Sequence, residues 1–360
     1  MKRIFWLWIV WMFSLCIPID AQNNASIPEN SMITSQNADQ IIELMLIGND
    51  GVLDSQTGEL IYPLQGYEWV GLAYSPDGNL LATGAGSTIF IWDTKTKLLL
   101  KQFEGANINH LLFSPTGNML MSGGDKTQVW DVETGEILQS MDIFAVSLAF
   151  SPDGQTLVIG GRDIIYLFDV NKWISWEIYL NEVFRGSLSS VAVSPDGQFL
   201  LITASESGGS ENNYIWDFAT LEFSHLLRGY VDSIHSAVYS PDGLWVAGGA
   251  TDGKIYIWDV ETGEMVYTLG DAEIDEMPNT VADILGPIGS VAYSPDGHLI
   301  ILGNDDGTIE VWDVDARELV NILHGHTDGL TTVLFSPDGW FIVSVSVDGT
   351  VRIWGVPNNE

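Results

Sequence analysis

The chain has 360 residues, 46% of them hydrophobic and enough for a large core, with 48 acidic against 13 basic side chains and a formal net charge of −35. A surface that negative repels phosphate backbones and anionic headgroups, which argues against nucleic acid and peripheral membrane binding and favours solubility, cationic partners or divalent ions. The single cysteine, Cys16, lies in an N-terminal apolar run, so the rest of the chain has no disulfide or thiol chemistry to offer.

Residues 1–21 combine Lys2 and Arg3, an apolar stretch over 4–17, Pro18 and a small residue at Ala21. That is the layout of a secretory signal peptide cleaved after Ala21, and its apolar part is shorter than the ~20 residues a membrane-spanning helix needs. The expectation is export, secreted or periplasmic, with an uncleaved anchor as the lesser alternative and no stable membrane insertion after cleavage. Residues 22–40 read as a flexible polar linker containing a glycosylation sequon at Asn24-Ala25-Ser26. The folded region is expected over 41–360.

That region repeats itself. Ser-Pro-Asp-Gly begins at Ser75, Ser151, Ser194, Ser240, Ser294 and Ser336, with the variant Ser114-Pro115-Thr116-Gly117. An aromatic residue follows each Ser by 16 to 18 residues (22 in the fourth copy): Trp92, Trp130, Phe168, Trp216, Trp258, Trp312 and Trp354. All but the last are followed by Asp. Between these markers lie short runs rich in Val, Ile, Tyr and Trp, bounded by Gly, Pro and Asp, which read as antiparallel strands joined by hairpins. Four residues before each Ser stand Gly71, His110, Ser147, Ser190, Ser236, Ser290 and Thr332. Small side chains at six of these seven positions suit innermost strands crowded around an axis, and His110 is expected to project toward it. One such unit cannot bury both faces, so the copies must pack as an array.

The run SPDG, a Gly-rich strand, Asp-Gly and then IWDVETGE closely resembles the WD-repeat family over residues 51–354. The resemblance implies an all-β, seven-bladed β-propeller of four-stranded antiparallel blades. In the family's convention strand a precedes SPDG, b follows it, c ends at Trp-Asp and d is outermost. Six residues after Trp354 are too few for an outer strand, so an N-terminal strand is expected to complete the last blade and close the ring. The segment from Asp54 to Tyr62, DSQTGELIY, matches DVETGEMVY from Asp259 to Tyr267, which nominates residues 59–64 as that strand. Pro63 is tolerable there on a sheet edge. Residues 41–47 are left over as an extra strand or a plug.

In the resembled family an Asp before strand c joins a His, a Ser or Thr of strand b and the Trp in a hydrogen-bonded set. Asp252 with Trp258, Asp306 with Trp312, and Asp348 with Trp354 fit the Asp–Trp part. Only the last blade approaches the full set, with His326 and either Ser344 or Ser346. A buried structural network explains these residues more simply than catalysis. His324, His326 and Asp328 could be drawn as metal ligands, but His326 already has that structural explanation, and no run resembles a calcium loop. There is no nucleophile elbow, HExxH, phosphate loop or CxxC, and neither a cofactor nor a metal is expected.

The interruptions of the repeat are better guides to function. In the family's architecture the a–b and c–d turns share one face of the ring, and the d–a and b–c loops share the other. Both clear insertions fall on the second face: 206–213 in a b–c loop, and 271–286 in a d–a loop with Asp271, Glu273, Asp275, Glu276 and Asp283. Tyr67, Glu68, Tyr230 and Asp232 are expected on the same rim, while Trp69 aligns with core positions. The aromatics Trp173, Trp176, Tyr179 and Phe184 form a second candidate patch after the third aromatic–Asp pair, Phe168-Asp169. The reading is an exported, non-enzymatic scaffold, a monomeric ring whose loop-bearing face holds a protein or peptide ligand of cationic character. The alternative is an extracellular propeller hydrolase or lyase working through channel carboxylates, against which the small Ser, Gly and Thr set speaks.

Overall fold

Seven copies of one turn set the architecture. At the first, Gly78 N–H donates to the Ser75 carbonyl (2.9 Å), Ser75 Oγ–H donates to Asp77 Oδ1 (2.6 Å), and Leu80 N–H donates to Ser75 Oγ (2.9 Å). Gly78 sits at φ 70°, a conformation glycine adopts without steric cost. The same Ser–Asp bond recurs at Ser151, Ser194, Ser240, Ser294 and Ser336. Each turn reverses the chain and starts a strand in which almost every residue is buried, as in Leu80–Ala85 and Trp245–Ala250.

The structure, a computed structural model, describes residues 32–48, 51–54, 60–63, 69–179, 187–205, 213–230, 233–270 and 288–357. Among them the strands form seven antiparallel sheets. Blade 1 comprises Trp69–Tyr74, Leu80–Ala85, Thr88–Asp93 and Leu99–Glu104, paired in that order. Blades 2 to 6 repeat the pattern, beginning at Ile108, Ser147, Ser187, Ile234 and Ile288, and blade 7 begins at Leu330. Each innermost strand touches the next, and the seventh touches the first, so the sheets close into a ring. This is the seven-bladed β-propeller the repeats imply.

The core lies between blades. Ala82, Ile89 and Ile91 of blade 1 pack on Ile108, Leu111, Leu120 and Trp130 of blade 2, and comparable apolar layers fill the other interfaces. Small residues on the inner strands earn their place by polar stitching. Val191 N–H donates to Ser147 Oγ (3.1 Å) and Val333 N–H to Ser290 Oγ (3.3 Å), each across a blade boundary. A Cβ on Gly71 would meet Leu111 Cγ at 3.1 Å. His110, on the innermost strand of blade 2, keeps contact with solvent, yet desolvation by the surrounding protein holds its imidazole below the usual range.

The turns also touch one another. The Cβ position of each SPDG glycine lies 3.5–3.8 Å from Cδ of the proline in the preceding turn, from Gly117 on Pro76 round to Gly339 on Pro295 and Gly78 on Pro337. Seven such contacts make a closed annulus on one face.

Ring closure corrects the sequence reading in one respect. The strand beside Val351–Gly355 is not residues 59–64 but β1 (Ile42–Gly48), in register Ile47 to Val351, Leu46 to Arg352 and Ile42 to Gly355. Two further strands, β2 (Gly51–Asp54) and β3 (Leu60–Pro63), continue outward, giving this blade six strands. Pro63 ends up on the outermost strand, the edge position at which proline is tolerated in a sheet. β1 is the better closing strand because Leu44, Met45 and Ile47 are buried, the last two packing against Val343, Val345 and Val351 of blade 7 and Leu72, Leu81 and Trp92 of blade 1. Part of the expected linker is also built into the fold. Ile33 and Ala38 pack on blades 6 and 7, Ile33 N–H donates to the Gly339 carbonyl (2.8 Å), and Asn321 Nδ2–H donates to the Ala38 carbonyl (2.9 Å).

Candidate interaction faces

The tryptophans of strand c must each place an indole N–H, and the blades meet this differently; Trp216 of blade 4 is buried with no acceptor among the described residues. Trp92 donates to Thr83 Oγ1 and Trp130 to Ser122 Oγ, both at 2.9 Å. Blade 5 has Gly248 at that position, where a Cβ would collide with Trp258, and the indole donates instead to the Arg228 carbonyl (2.8 Å). Blade 6 has Leu302 there, and Trp312 donates to Glu310 Oε2 (2.8 Å). Burial pushes the Glu310 carboxyl above the usual range, against the opposing effect of hydrogen bonds from Trp312 and Asn304. The charged residue inside an otherwise apolar strand, Ile309–Asp313, was the sequence signal for this group.

Blade 7 holds the full set. Trp354 Nε1–H donates to Ser344 Oγ (2.9 Å), Ser344 Oγ lies 2.8 Å from His326 Nε2, and His326 Nδ1 lies 3.0 Å from Asp348 Oδ2. Thr350 and the Thr327 and Thr350 N–H groups also donate to Asp348. Ser344 is therefore the strand-b member; Ser346 bonds the Asp328 carbonyl. Burial depresses the His326 pKa to about 4, more than Asp348 raises it. A neutral imidazole fits the chain of donors: the indole gives to the hydroxyl, the hydroxyl to Nε2, and Nδ1–H to the carboxylate. Burial alone would raise the Asp348 pKa, but bonds from Thr350, Thr327 and His326 hold it below the usual range. All polar atoms of the set face inward to one another, which is a structural arrangement. Asp252 likewise accepts from Lys254 N–H and the Tyr256 hydroxyl, and Asp306 from Thr308.

Two faces remain. Of the residues expected on the loop-bearing rim, Tyr67, Glu68, Asp232, Asp271, Glu273, Asp275, Glu276 and Asp283 lie outside the described residues, as does most of the 206–213 insertion. Asn213 at its end is buried, its Oδ1 accepting from Ala204 N–H (3.2 Å). Tyr230 departs from expectation. Only 8% exposed, it packs edge-on against Tyr256 and Trp258, because the residue sits where the loop turns into the blade interface. In the second candidate patch, Trp176 and Tyr179 on the outer strand Ile174–Tyr179 are exposed, whereas Trp173 packs against the core between blades 2 and 3. Among the described residues no three His, Cys, Asp or Glu side chains converge as a metal site would need.

The comparisons with known proteins agree with the geometry. The family model of the WD domain, G-beta repeat, matches residues 58–93, 97–131, 221–259, 281–313 and 317–355, together half of the chain. The unmatched stretch from 132 to 220 spans most of blades 3 and 4, which carry Phe168 for Trp and the long b–c insertion. WD repeat-containing protein 1 of Gallus gallus is 24% identical over 270 residues, covering 73% of this chain and 36% of the relative. A guanine nucleotide-binding protein subunit beta of Oryza sativa subsp. japonica is 25% identical over 216 residues, covering 56% and 53%. A Periodic tryptophan protein 2 homolog of Dictyostelium discoideum is 24% identical over 269 residues, covering 72% and 27%. The chain thus spans about a quarter to a half of the length of these relatives.

Proposed function

The chain belongs to the WD-repeat family, whose propellers generally serve as protein-interaction scaffolds, and from this premise we propose that it is an exported, non-enzymatic platform holding a protein or peptide on the face that bears the d–a and b–c loops. The observation that carries this reading is the inward closure of the polar groups. Most of the conspicuous Asp, His and Trp residues of the repeats are spent on bonds within the propeller framework, as in the Trp354–Ser344–His326–Asp348 chain, leaving loops to carry what is particular to this protein. The acidic insertion at 271–286 interrupts the repeat at a d–a connection and the insertion at 206–213 at a b–c connection, in copies close to each other along the chain. With a net charge of −35, a cationic ligand is the complementary one. Export rests on the three-part arrangement of residues 1–21, and the closed ring leaves a monomer as the simplest functional unit.

Replacing Asp271, Glu273, Asp275 and Glu276 together by Ser is expected to leave the thermal transition in place while weakening capture of the partner several-fold. Photo-crosslinking of the tagged protein in secreted or periplasmic material, read by mass spectrometry, checks this. Equal capture by the variant would move the site elsewhere, and turnover of a glycan or peptide that disappears on mutation of channel carboxylates would replace the scaffold reading altogether.

A further inference from the structure

The residue after each SPDG turn occupies one equivalent position on the turn-bearing face, and it divides the ring in two. Blades 1 to 4 place Asn79, Asn118, Gln155 and Gln198 there, while blades 5, 6 and 7 place Leu244, His298 and Trp340. Leu244 is 59% exposed and Trp340 38% exposed. Met32 joins them at 46% exposure: its Cγ lies 3.4 Å from the Cβ position of Gly339, and the adjoining Ile33 N–H is tied to the Gly339 carbonyl. The three turns touch in sequence, with the Gly297 Cβ position 3.5 Å from Pro241 Cδ and that of Gly339 3.7 Å from Pro295 Cδ. The apolar side chains therefore belong to one continuous sector of the annulus. Large apolar side chains left together in water on a surface otherwise rich in charge mark a contact surface more often than an accident of sequence.

The groups around this sector decide what fits it. Asp242, Asp296 and Asp338 stand exposed in the same three turns, and Asp315 is open to solvent beside them. Among the described residues nearby, Arg317 lies over the Tyr267 ring at 4.1 Å, and His298 is bonded through Nδ1 to Asp315 Oδ2 at 2.8 Å. The bond from Asp315 and the Asp296 charge raise the His298 pKa, as a negative surface should. An apolar sector rimmed by carboxylates matches a segment that carries apolar anchors and Lys or Arg together; a second copy of this acidic chain would bring like charge against like.

We propose that the SPDG-turn face of blades 5 to 7, centred on Leu244 and Trp340, is a second docking surface, taking a cationic amphipathic segment of a partner protein. It lies on the turn-bearing face of the ring and does not rest on the function assigned to the insertions. Occupation of both faces lets one ring join two proteins.

The test uses the whole protein, a labelled synthetic peptide of alternating Lys and Leu, and two controls in which Glu replaces Lys or Ser replaces Leu. Binding is read by fluorescence anisotropy for the wild type and for Leu244→Gln/Trp340→Gln. Gln already follows SPDG in blades 3 and 4, so the double variant keeps the turn chemistry and folds. The Lys–Leu peptide is expected to bind the wild type about tenfold more tightly than the variant, an effect on the scale of losing two anchor side chains. The four-residue Ser variant of the acidic insertion should bind it as the wild type does. The proposal is overturned if the double variant retains full affinity, or if either control peptide binds equally well. It is also overturned if sedimentation shows a concentration-dependent dimer that the double variant loses, which would make a second copy the occupant.

Discussion

Replacing Glu43 by Ala lowers the unfolding free energy by about 3–5 kcal/mol, among the largest effects expected of any single polar substitution here. Glu43 lies on the closing strand β1 and pairs through Oε2 with Nη1 of Arg352 on the neighbouring strand of blade 7, with both side chains largely buried. Arg352 Nε is already buried without a hydrogen-bond partner among the described residues, so the guanidinium depends heavily on that carboxylate. Removing Glu43 leaves the charge uncompensated at the seam of the ring. Glu43→Leu with Arg352→Leu removes both charges and is expected to recover most of the loss, since a paired apolar replacement escapes the desolvation penalty. Urea unfolding followed by tryptophan fluorescence measures both. If the single and double variants lose the same amount, the pair is not what holds this seam.

The second large effect is in pH. His326 is held at about 4 by burial, against an ordinary 6.5 in the unfolded chain. Its folded pKa is depressed, so the unfolded state takes up the proton first as pH falls. Stability from this residue is present above pH 6.5 and is lost progressively down to pH 4, reaching about 3 kcal/mol for the full shift. Asp348, whose pKa is also lowered, contributes in the same direction but below 3.8. His298 runs the other way: its raised pKa favours the folded state below 6.5, and that contribution fades as pH rises through the folded value. His326→Gln is expected to lower stability at pH 7 by about 1–3 kcal/mol, from the unpaired Ser344 and Asp348, and to flatten the loss between pH 6.5 and 4. His110, also depressed by desolvation, leaves a residual slope in the same direction. Parallel pH profiles for wild type and variant would remove His326 as the acid-sensitive group.

How far the sequence revealed this structure depends on range. The turns were legible because their chemistry is local: Ser, Asp and Gly bond within five residues, and seven spaced copies leave little freedom in blade number. The closing strand was not legible. The stretch from Asp54 to Tyr62 resembles a c–d hairpin because β2 and β3 do pair as one, including the register shift between Val52 and Leu53 seen in other c–d pairs. A hairpin motif says nothing about which edge it joins, and that is decided by Leu44, Met45, Ile47 and Glu43 meeting partners some 300 residues away. Ser344 and Ser346 were indistinguishable in sequence, since both lie on the strand two residues apart; only the strand's position against His326 and Trp354 selects Ser344. Tyr230 was placed on the rim from loop membership alone, and its ring instead found the Trp258 edge. The annulus of Pro–Gly contacts was hidden for the same reason as the closing strand, because each contact joins successive blades.

The seam is where the architecture is most directly open to test, because two N-terminal segments could complete blade 7. A chain beginning at residue 32 retains β1, β2 and β3; one beginning at residue 49 loses β1 but keeps the 59–64 segment and every SPDG turn. Thermal unfolding of the two, followed by circular dichroism, separates the possibilities. The expected result is a cooperative transition for the first chain and none, or one lowered by tens of degrees, for the second, since blade 7 is left with three strands and the buried faces of Val343, Val345 and Trp92 lose their cover. A second chain that melts cooperatively at the temperature of the first would show that β1 does not close the ring.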